Sequence, residues 1–399
     1  MKRTRATSRQ SRFWDFPDHI IMDILTRLPL KTILNCRCVC TSWRNIISDP
    51  HFTKLHLSVS PAVLMFPIKS YENLYVVVDS VEAYSIGVGG LNDDVVRVPD
   101  NAFLKFNPKF DIPDLQVLSS CNGLICLYEP RTYNPYYICN PMMSEYVVVP
   151  QIKKDLFVLA GSGFGFSPKT NQFKVLRFSL PLPKTGLPSL KLETEINTLG
   201  TNLWRQVGNP PSYLHWFSCG CFLNGGLHWI VHDPDNHFKS VCVFDFGEEQ
   251  FWPFPGPSQL VANHNETVNR MNMDLLGGCL AIYHYSSDHQ FDIWLMKDYG
   301  VKESWTKEFV IETTNKSYFY QPIMLLNNGE ILMLFAFTLL VSYNTTYRSS
   351  RSVKINVVGR DFKALRDFKA KAYIPSFVSI KDIVKGETLK EALILPWSQ

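Results

Sequence analysis

The segment Gly226-Leu-His-Trp-Ile-Val decides the fold, because apolar strands led by a glycine recur along the chain. The same pattern begins at Gly278 and at Gly329, each about 50 residues after the one before, and Gly123 leads a similar strand about two such periods before Gly226. A less regular copy begins at Gly163. Each copy is followed by a polar turn and a second apolar strand, and at least two copies add a third. This regular spacing indicates a repeat architecture.

A repeated meander of strands predicts a closed ring of sheets. Such a unit has two open edges and an uncovered face, so neighbouring units must stack on each other. Radial closure into a β-propeller covers the faces of all units and leaves only short, protected edges. We expect a kelch-like propeller of about six or seven blades over residues 60–380, followed by a C-terminal tail at 381–399. Strands within residues 62–98 are expected to form one more unit, and residues 372–380 to supply a closing strand.

Residues 13–56 differ from the rest, because their apolar side chains recur with a helical period. Pro17 suits a first helical position behind Asp15, and Pro29 stops this first helix. Two further helices are predicted at about 32–39 and 42–47, before Ser48-Asp49-Pro50 closes the unit. So small a unit cannot bury all of its large side chains alone, so either the rest of the same chain or something else must cover them. The fold class is therefore α+β multidomain, with a small all-α unit followed by an all-β propeller.

The charge distribution argues against several classes of partner. The 399-residue chain has a net charge of +4, and five basic residues lie within residues 1–12, which we expect to form a disordered basic arm. The remainder is nearly neutral, which argues against a nucleic-acid binder. No secretory signal or membrane-spanning run is visible. We therefore expect a cytoplasmic and/or nuclear protein, with its ten cysteines as thiols.

No stretch of the sequence carries a recognisable catalytic, cofactor or metal motif. Cys36, Cys38 and Cys40 point in different directions on a helix, and they are better explained as small buried hydrophobic residues. His228 occupies a strand position that other repeats fill with aliphatic residues. We therefore expect no cofactor and no metal ion. A ligand surface could be formed by Trp204, Arg205, His215, Trp216 and Trp229, although aromatic residues of a propeller are at least as often packed between blades.

The helical stretch closely resembles the F-box, particularly the plant type. The resemblance rests on Phe16-Pro17, Arg27-Leu-Pro29, Arg37-Cys-Val-Cys40, Trp43 and the residues 48–52. The later chain looks like the F-box-associated domain of the same plant family, through Ser119-Ser-Cys-Asn-Gly-Leu-Ile-Cys-Leu, Cys139-Asn-Pro, Gly163-Phe-Gly-Phe-Ser-Pro and Leu223-Asn-Gly-Gly-Leu-His-Trp. Together the two resemblances span nearly the whole sequence.

The resemblance implies a non-catalytic substrate-recognition subunit of an SCF-type E3 ubiquitin ligase, which recruits a target protein for ubiquitination and proteasomal degradation. Its partners would be a SKP-family adaptor and, through it, a cullin and a RING protein. The adaptor contacts carried over by the resemblance are Phe16, Pro17, Ile20, Ile21, Ile24, Leu28, Pro29, Leu34, Val39 and Trp43. Some of these must instead hold the helices together. The alternative is a propeller enzyme or glycan-binding module whose helical start is only a docking tag.

Overall fold

The computed structural model describes residues 16–68, 73–77, 96–98, 103–106, 115–129, 136–151, 157–181, 192–210, 220–233, 238–261, 271–313, 319–336, 339–357, 360–361 and 370–384. The predicted basic arm at 1–12 lies outside these residues. Four helices open the described chain and form what we call the helical unit: α1 (Asp18–Thr26), α2 (Leu30–Val39), α3 (Thr41–Ser48) and α4 (Pro50–Val59). Among the described residues, no helix has the length and apolar character needed to cross a bilayer.

Two sequence signals at the helix ends were misread. The first helix begins at Asp18, one residue later than predicted. Pro17 is the N-cap of this helix and not its first residue, since its ψ angle of 143° is not helical, and its side chain makes no capping hydrogen bond. Ser48-Asp49-Pro50 does not close the unit, because Pro50 is the first residue of α4. The Asp49 carboxylate accepts a hydrogen bond from the His51 amide at 2.7 Å, which caps the new helix. A proline is well tolerated at this position, since the first amides of a helix have no partner inside it.

The rest of the described chain consists almost entirely of antiparallel strands. The strands that precede the regular blades are β1 (Val63–Ile68), β2 (Asn73–Val77), β3 (Val96–Val98) and β4 (Phe103–Phe106). Blade 1 contains β5 (Gln116–Cys121), β6 (Leu124–Tyr128), β7 (Tyr136–Asn140) and β8 (Glu145–Val148). Blade 2 contains β9 (Phe157–Ser167), β10 (Gln172–Pro181), β11 (Glu193–Thr198) and β12 (Trp204–Val207).

Three more blades continue the same meander. Blade 3 contains β13 (Cys221–Leu223), β14 (Gly226–Asp233), β15 (Phe238–Asp245) and β16 (Gln250–Phe254), followed by the short helix α5 (Ser258–Val261). Blade 4 contains β17 (Asn272–Leu276), β18 (Cys279–Ser287), β19 (Gln290–Met296) and β20 (Trp305–Glu312), with a 3-10 helix at Lys302–Ser304. Blade 5 contains β21 (Tyr320–Leu325), β22 (Ile331–Phe335), β23 (Leu339–Asn344), β24 (Ser349–Val357) and β25 (Arg360–Asp361).

Strands from the first part of the propeller pair with strands from its last part, and this pairing closes the ring. The last strand, β26 (Lys371–Tyr373), pairs with β1 in a sheet of order β26-β1-β2-β4. In return, β3 pairs in parallel with β24 of blade 5. The prediction of six or seven blades was wrong, because the described residues contain five blades built from consecutive strands, and the remaining sheet is assembled from both ends of the chain. The expected closing strand lies at β26, and the residues after it leave the sheet. α6 (Ile380–Ile383) is the last described helix.

The repeated glycines mark hairpin turns rather than the first strand of each unit. The strands β6, β14, β18 and β22 are each second in their blade. Asn122 and Gly123 both have positive φ angles, of 46° and 81°, and Asn224 and Gly225 repeat this arrangement. Two consecutive residues with positive φ form the tight turn whose twist matches a β-hairpin, and Asn-Gly is its preferred sequence. The period in the sequence is therefore a repeat of turns.

The helical unit and the propeller share one hydrophobic core. Buried residues of the helices, including Ile33, Ile47 and Phe52, belong to the same cluster as Ile125 of blade 1 and Phe377 after β26, and all five are 0% exposed. The side chains that had to be covered by something else are thus covered in part by this chain's own propeller. The helical unit is consequently not a separable appendage.

Candidate functional site

Helix α1 carries two apolar stripes that meet different environments. Ile21 and Leu25 face inward and are 4% and 2% exposed. Ile20 and Ile24, one residue earlier in each case, face outward and are 37% and 38% exposed. Positions four apart lie on one side of a helix, so each pair forms a continuous stripe. Phe16, four residues before Ile20, is 48% exposed. The helical unit therefore presents large apolar side chains to solvent after its own core is complete.

The ten predicted adaptor contacts divide into three groups by burial. The exposed members are Phe16, Pro17, Ile20, Ile24, Pro29 and Val39. The half-buried members, which pack against the shared core, are Leu28 and Trp43. The buried members are Ile21 and Leu34. The last two hold the helices together, which the sequence left open. The other eight remain available to a partner.

The junction between α1 and α2 presents a rigid apolar corner. Pro29 precedes α2 with φ −55° and ψ 143°, an extended conformation that a proline ring favours. Its ring is exposed, and the preceding Leu28 is half-buried. Arg27, the residue that follows α1, forms an ion pair at 3.0 Å with Asp23, one turn earlier. A corner whose backbone is fixed in this way loses little entropy when a partner binds to it.

The helical unit sits at one end of the propeller ring. The strands of a blade are antiparallel, so the turn after its first strand and the turn after its third strand lie at the same end. The Arg37 guanidinium of α2 donates a hydrogen bond of 2.9 Å to the carbonyl of Met142, in the turn between β7 and β8. We name this end of the ring the helical face and the opposite end the far face.

The three described members of the predicted ligand surface, Trp204, Arg205 and Trp229, do not form one surface. Trp229 is 1% exposed and packs edge-on against Phe178 at 5.4 Å, which agrees with the alternative that an aromatic residue of a propeller packs between blades. Trp204 is half-buried, and its indole N–H donates to the Pro150 carbonyl at 2.7 Å. His215 and Trp216 lie outside the described residues. Of the three described residues, only Arg205, beside Trp204 on β12, is well exposed.

Arg205 belongs to an ionic network that joins blades 2 and 3. Its guanidinium pairs with Glu249, whose carboxylate also binds the buried ammonium of Lys174 at 2.7 Å. Burial acts to raise the pKa of Glu249, but the hydrogen bonds and positive charges of Arg205 and Lys174 outweigh it and hold the pKa below its ordinary value. This network explains Arg205 as an inter-blade contact.

A cavity of 2090 Å³ runs between the helical unit and the inner strands of the propeller. Asp274 of β17 and Lys371 of β26 both line it. The Lys371 ammonium donates to the Leu118 carbonyl at 3.0 Å. Burial raises the pKa of the Asp274 carboxyl, and the positive charge of Lys371 only partly offsets this. The cavity is much larger than a typical small-molecule pocket, which suits the central channel of a propeller.

The residues considered as metal ligands have other roles. The two nitrogens of His228 lie within hydrogen-bond distance of the Cys221 carbonyl, at 3.0 Å, and of the Tyr299 hydroxyl, at 2.9 Å. Burial lowers the pKa of His228 to about 4, so the ring is neutral. The nine cysteines within the described ranges are free. In the same ranges, no group of three or more His, Cys, Asp or Glu residues is placed to hold a metal ion.

The sequence reasoning missed the residues that attach the helical unit. His56 of α4 is 4% exposed and packs against Phe52 and Phe377. Asn140, at the end of β7, is 0% exposed and donates to two carbonyls that follow β26. A signal existed in the Cys139-Asn-Pro motif, because a polar residue at the end of an apolar strand needs partners. The identity of those partners, more than 200 residues away, could not be read from the motif.

Comparison with known proteins agrees with both parts of the fold. The model of the F-box domain matches residues 13–55, and that of the F-box associated beta propeller domain matches residues 95–378. F-box protein At3g07870 of Arabidopsis thaliana is 28% identical over 372 residues, covering 82% of this chain and 84% of the relative. F-box/kelch-repeat protein At3g23880 of Arabidopsis thaliana is 24% identical, covering 92% of this chain and 97% of the relative.

A third relative and one solved structure complete the comparison. F-box protein CPR1 of Arabidopsis thaliana is 26% identical, covering 76% of this chain and 75% of the relative. The solved structure of YCF48 bound to a D1 peptide has a TM-score of 0.37 and 8% identity, covering 74% of this chain and 81% of that one. The match to the F-box associated beta propeller domain spans well over half of the 399 residues. The chain therefore belongs to the family of F-box proteins with an F-box associated β-propeller domain.

Proposed function

We propose that this protein is the substrate-recognition subunit of an SCF-type E3 ubiquitin ligase. The helical unit docks a SKP-family adaptor, and through it a cullin and a RING protein. The kelch-like propeller holds a target protein, which is ubiquitinated and then degraded by the proteasome. The subunit itself is non-catalytic and works in the cytoplasm, the nucleus or both. Its contribution to the rate is proximity, since tethering makes the encounter between target lysine and charged conjugating enzyme nearly intramolecular.

One observation carries this proposal. The outer stripe of α1 stays exposed although the helical unit is already packed on the propeller, with Ile20 and Ile24 at 37% and 38% exposure. Exposed apolar residues that line up on one helix face favour a protein partner. The F-box match at residues 13–55 supports an adaptor of the SKP type as that partner.

We place the target site on the far face of the propeller. The helical face is occupied by the helical unit, through contacts such as that between Arg37 and the Met142 carbonyl. A target bound at the far face would not compete with the adaptor for the same surface. Trp204 is half-buried with its indole N–H bound to the Pro150 carbonyl, and Arg205 is held in the ionic network with Glu249. They are therefore weaker candidates for target contacts than the sequence alone indicated.

The deciding experiment is reconstitution with the full-length protein. It is mixed with a recombinant SKP-family adaptor, a cullin, a RING protein, and charged conjugating enzyme. We expect a stoichiometric complex on size-exclusion chromatography, and ubiquitin transfer that requires every component. Targets are then captured from cells with the proteasome blocked. Absence of adaptor binding, together with turnover or retention of a glycan by the protein alone, would contradict the proposal and favour an enzyme or glycan-binding module.

A further inference from the structure

The helical unit adjoins the sheet formed by β26, β1, β2 and β4. Two segments leave this sheet at the same end and contact the helical unit: the residues that precede β1 and the residues that follow β26. Helix α4 leads through residues 60–62 into β1, and β26 pairs antiparallel with β1 so that Tyr373 lies opposite Val63. The end of β26 therefore adjoins the start of β1. Residues 374–384, which we call the strap, consequently emerge beside α4 on the helical face.

The strap is fixed to blade 1 by buried and half-buried hydrogen bonds. The Asn140 amide donates to the carbonyls of Ser376 at 3.0 Å and Val378 at 2.7 Å. The Ser376 hydroxyl donates to the Asn122 carbonyl at 3.0 Å. The approach is so close that a Cβ atom on Gly123 would lie 2.1 Å from the Ser376 hydroxyl oxygen. The Glu145 carboxylate accepts the Ile380 amide at 2.7 Å. These bonds leave the strap little freedom relative to the blade.

The other side of the strap contacts the helical unit. Phe377 is 0% exposed, and its ring centroid lies 5.0 Å from that of His56 and 5.9 Å from that of Phe52, both on α4. The Thr53 hydroxyl reaches the Phe377 carbonyl at 3.4 Å. One short segment thus touches blade 1 with its polar atoms and α4 with its aromatic ring.

We infer that the strap sets the orientation of the helical unit on the propeller, and that this orientation governs which lysines receive ubiquitin and how fast. The inference rests on the proposed function. Transfer needs the lysine and the charged conjugating enzyme in a productive geometry, and small misplacements are costly. Asn140 and Phe377 are then positioning residues. They lie outside the exposed stripe of α1, so loosening the strap should leave adaptor affinity unchanged.

Asn140→Asp is the sharpest test, because it keeps the shape of the side chain and replaces the two donations to the strap with a carboxylate that repels the same two carbonyls. The Asn140 side-chain oxygen also accepts the Met142 amide at 2.9 Å, and an aspartate retains that bond. Asp245, at the corresponding end of β15, accepts the amides of Gly247 and Glu248 in the same kind of turn. An aspartate is therefore compatible with the turn. Asn328→Asp, in an exposed turn of blade 5, is the matched control for the change in charge.

The probe is ubiquitin transfer to the propeller's own exposed lysines, such as Lys169 and Lys297, in the reconstituted complex. For Asn140→Asp we expect faster hydrogen exchange in residues 50–59 and 374–384, adaptor affinity within about twofold of wild type, and transfer slowed about tenfold and spread over more lysines. Asn328→Asp should match wild type. Phe377→Ala should repeat the effect of Asn140→Asp, and Phe377→Leu should largely restore the wild-type pattern.

Three results would overturn the inference. Unchanged transfer despite faster exchange would make the strap purely structural. Unchanged exchange would show that Asn140 does not hold it. A loss of adaptor affinity equal to the loss of transfer would assign the effect to binding. If the wild-type complex itself transfers no ubiquitin, the proposed function fails, and the exchange data still report separately whether the strap holds the helical unit.

Discussion

The propeller and the helical unit deal with their apolar faces in opposite ways. In the blades, the second strands are covered on both sides, and Ile125, Leu227 and Ile331 are all 0% exposed. In the helical unit, α1 buries Ile21 and Leu25 but leaves Ile20 and Ile24 more than a third exposed. Sheets that stack in a ring can cover each other completely, whereas a single layer of helices on one end of the ring cannot. The difference separates residues that stabilise this protein from residues that are available to bind another.

The largest effect should come from breaking the closure of the ring. Deleting residues 370–399 removes β26, which pairs with β1, and also removes the strap with Phe377. We expect no soluble monomer, because an unpaired inner edge and an uncovered core promote aggregation. Deleting only residues 385–399 is the control and should leave yield and melting temperature close to those of the full chain. Equal yields of the two truncations would argue that another strand closes the ring.

A pair of tryptophans in one blade tests the difference between covered and uncovered aromatic residues. Trp229 on β14 is 1% exposed, and Trp252 on β16 is 51% exposed. Trp229→Ala should lower the free energy of unfolding by about 3–5 kcal/mol, since it leaves a large cavity. Trp252→Ala should change it by about 0.5 kcal/mol or less. Chemical denaturation measures both, and a comparable loss in the two variants would contradict the assigned burial.

The propeller could be predicted from sequence because its signal is local and repeated. Each Asn-Gly or Gly-Gly turn is set by the φ angles that those residues tolerate, and the apolar strand beside it needs no distant information. The number of blades could not be obtained in the same way. The closing sheet takes β26 from one end of the chain and β1, β2 and β4 from the other, so no segment of the sequence contains the repeat that would have been counted.

The packing of the helical unit on the propeller could not be predicted from sequence, for a related reason. The sequence indicated that the side chains of the helical unit need a cover but did not identify it, and Phe52 and Ile33 share a core with Ile125 and Phe377. Deleting residues 13–56 would therefore uncover apolar propeller surface. Burial by a neighbour in space leaves no periodic trace. A buried side chain such as Ile21 and an exposed one such as Ile20 look alike in a sequence, and only the packing separates them.

Charged substitutions on the outer stripe of α1 test whether its exposure serves binding. Ile20→Glu combined with Ile24→Glu should weaken adaptor affinity at least about 100-fold, because carboxylates would be desolvated at the centre of an apolar contact. Both side chains are more than a third exposed, so the free energy of unfolding should change by about 0.5 kcal/mol or less. Isothermal titration and denaturation measure the two effects separately.

The matched control for this pair is Val301→Glu, at a propeller turn with 45% exposure. It adds a carboxylate at an exposed apolar site far along the chain from α1, and adaptor affinity should stay at the wild-type value. Full adaptor binding by the Ile20→Glu, Ile24→Glu variant would move the contact to another surface. A large loss of stability would mean that the outer stripe is structural, which would remove the contrast between the two regions.

The smallest expected effect lies at the contact between the two regions. Burial between Phe52 and Phe377 lowers the pKa of His56 to about 4, from about 6.5 when unfolded. The unfolded chain therefore binds more protons between these values, so this group's contribution to stability is complete above pH 6.5 and is lost as the pH falls toward 4. From the two pKa values the loss is about 2 kcal/mol at pH 5.

His56→Phe should remove that share of the pH dependence, measured by denaturation at pH 7.5 and 5.0, whereas His51→Phe, exposed on the same helix, should not. An unchanged slope in His56→Phe would show that acid does not loosen the helical unit through this ring.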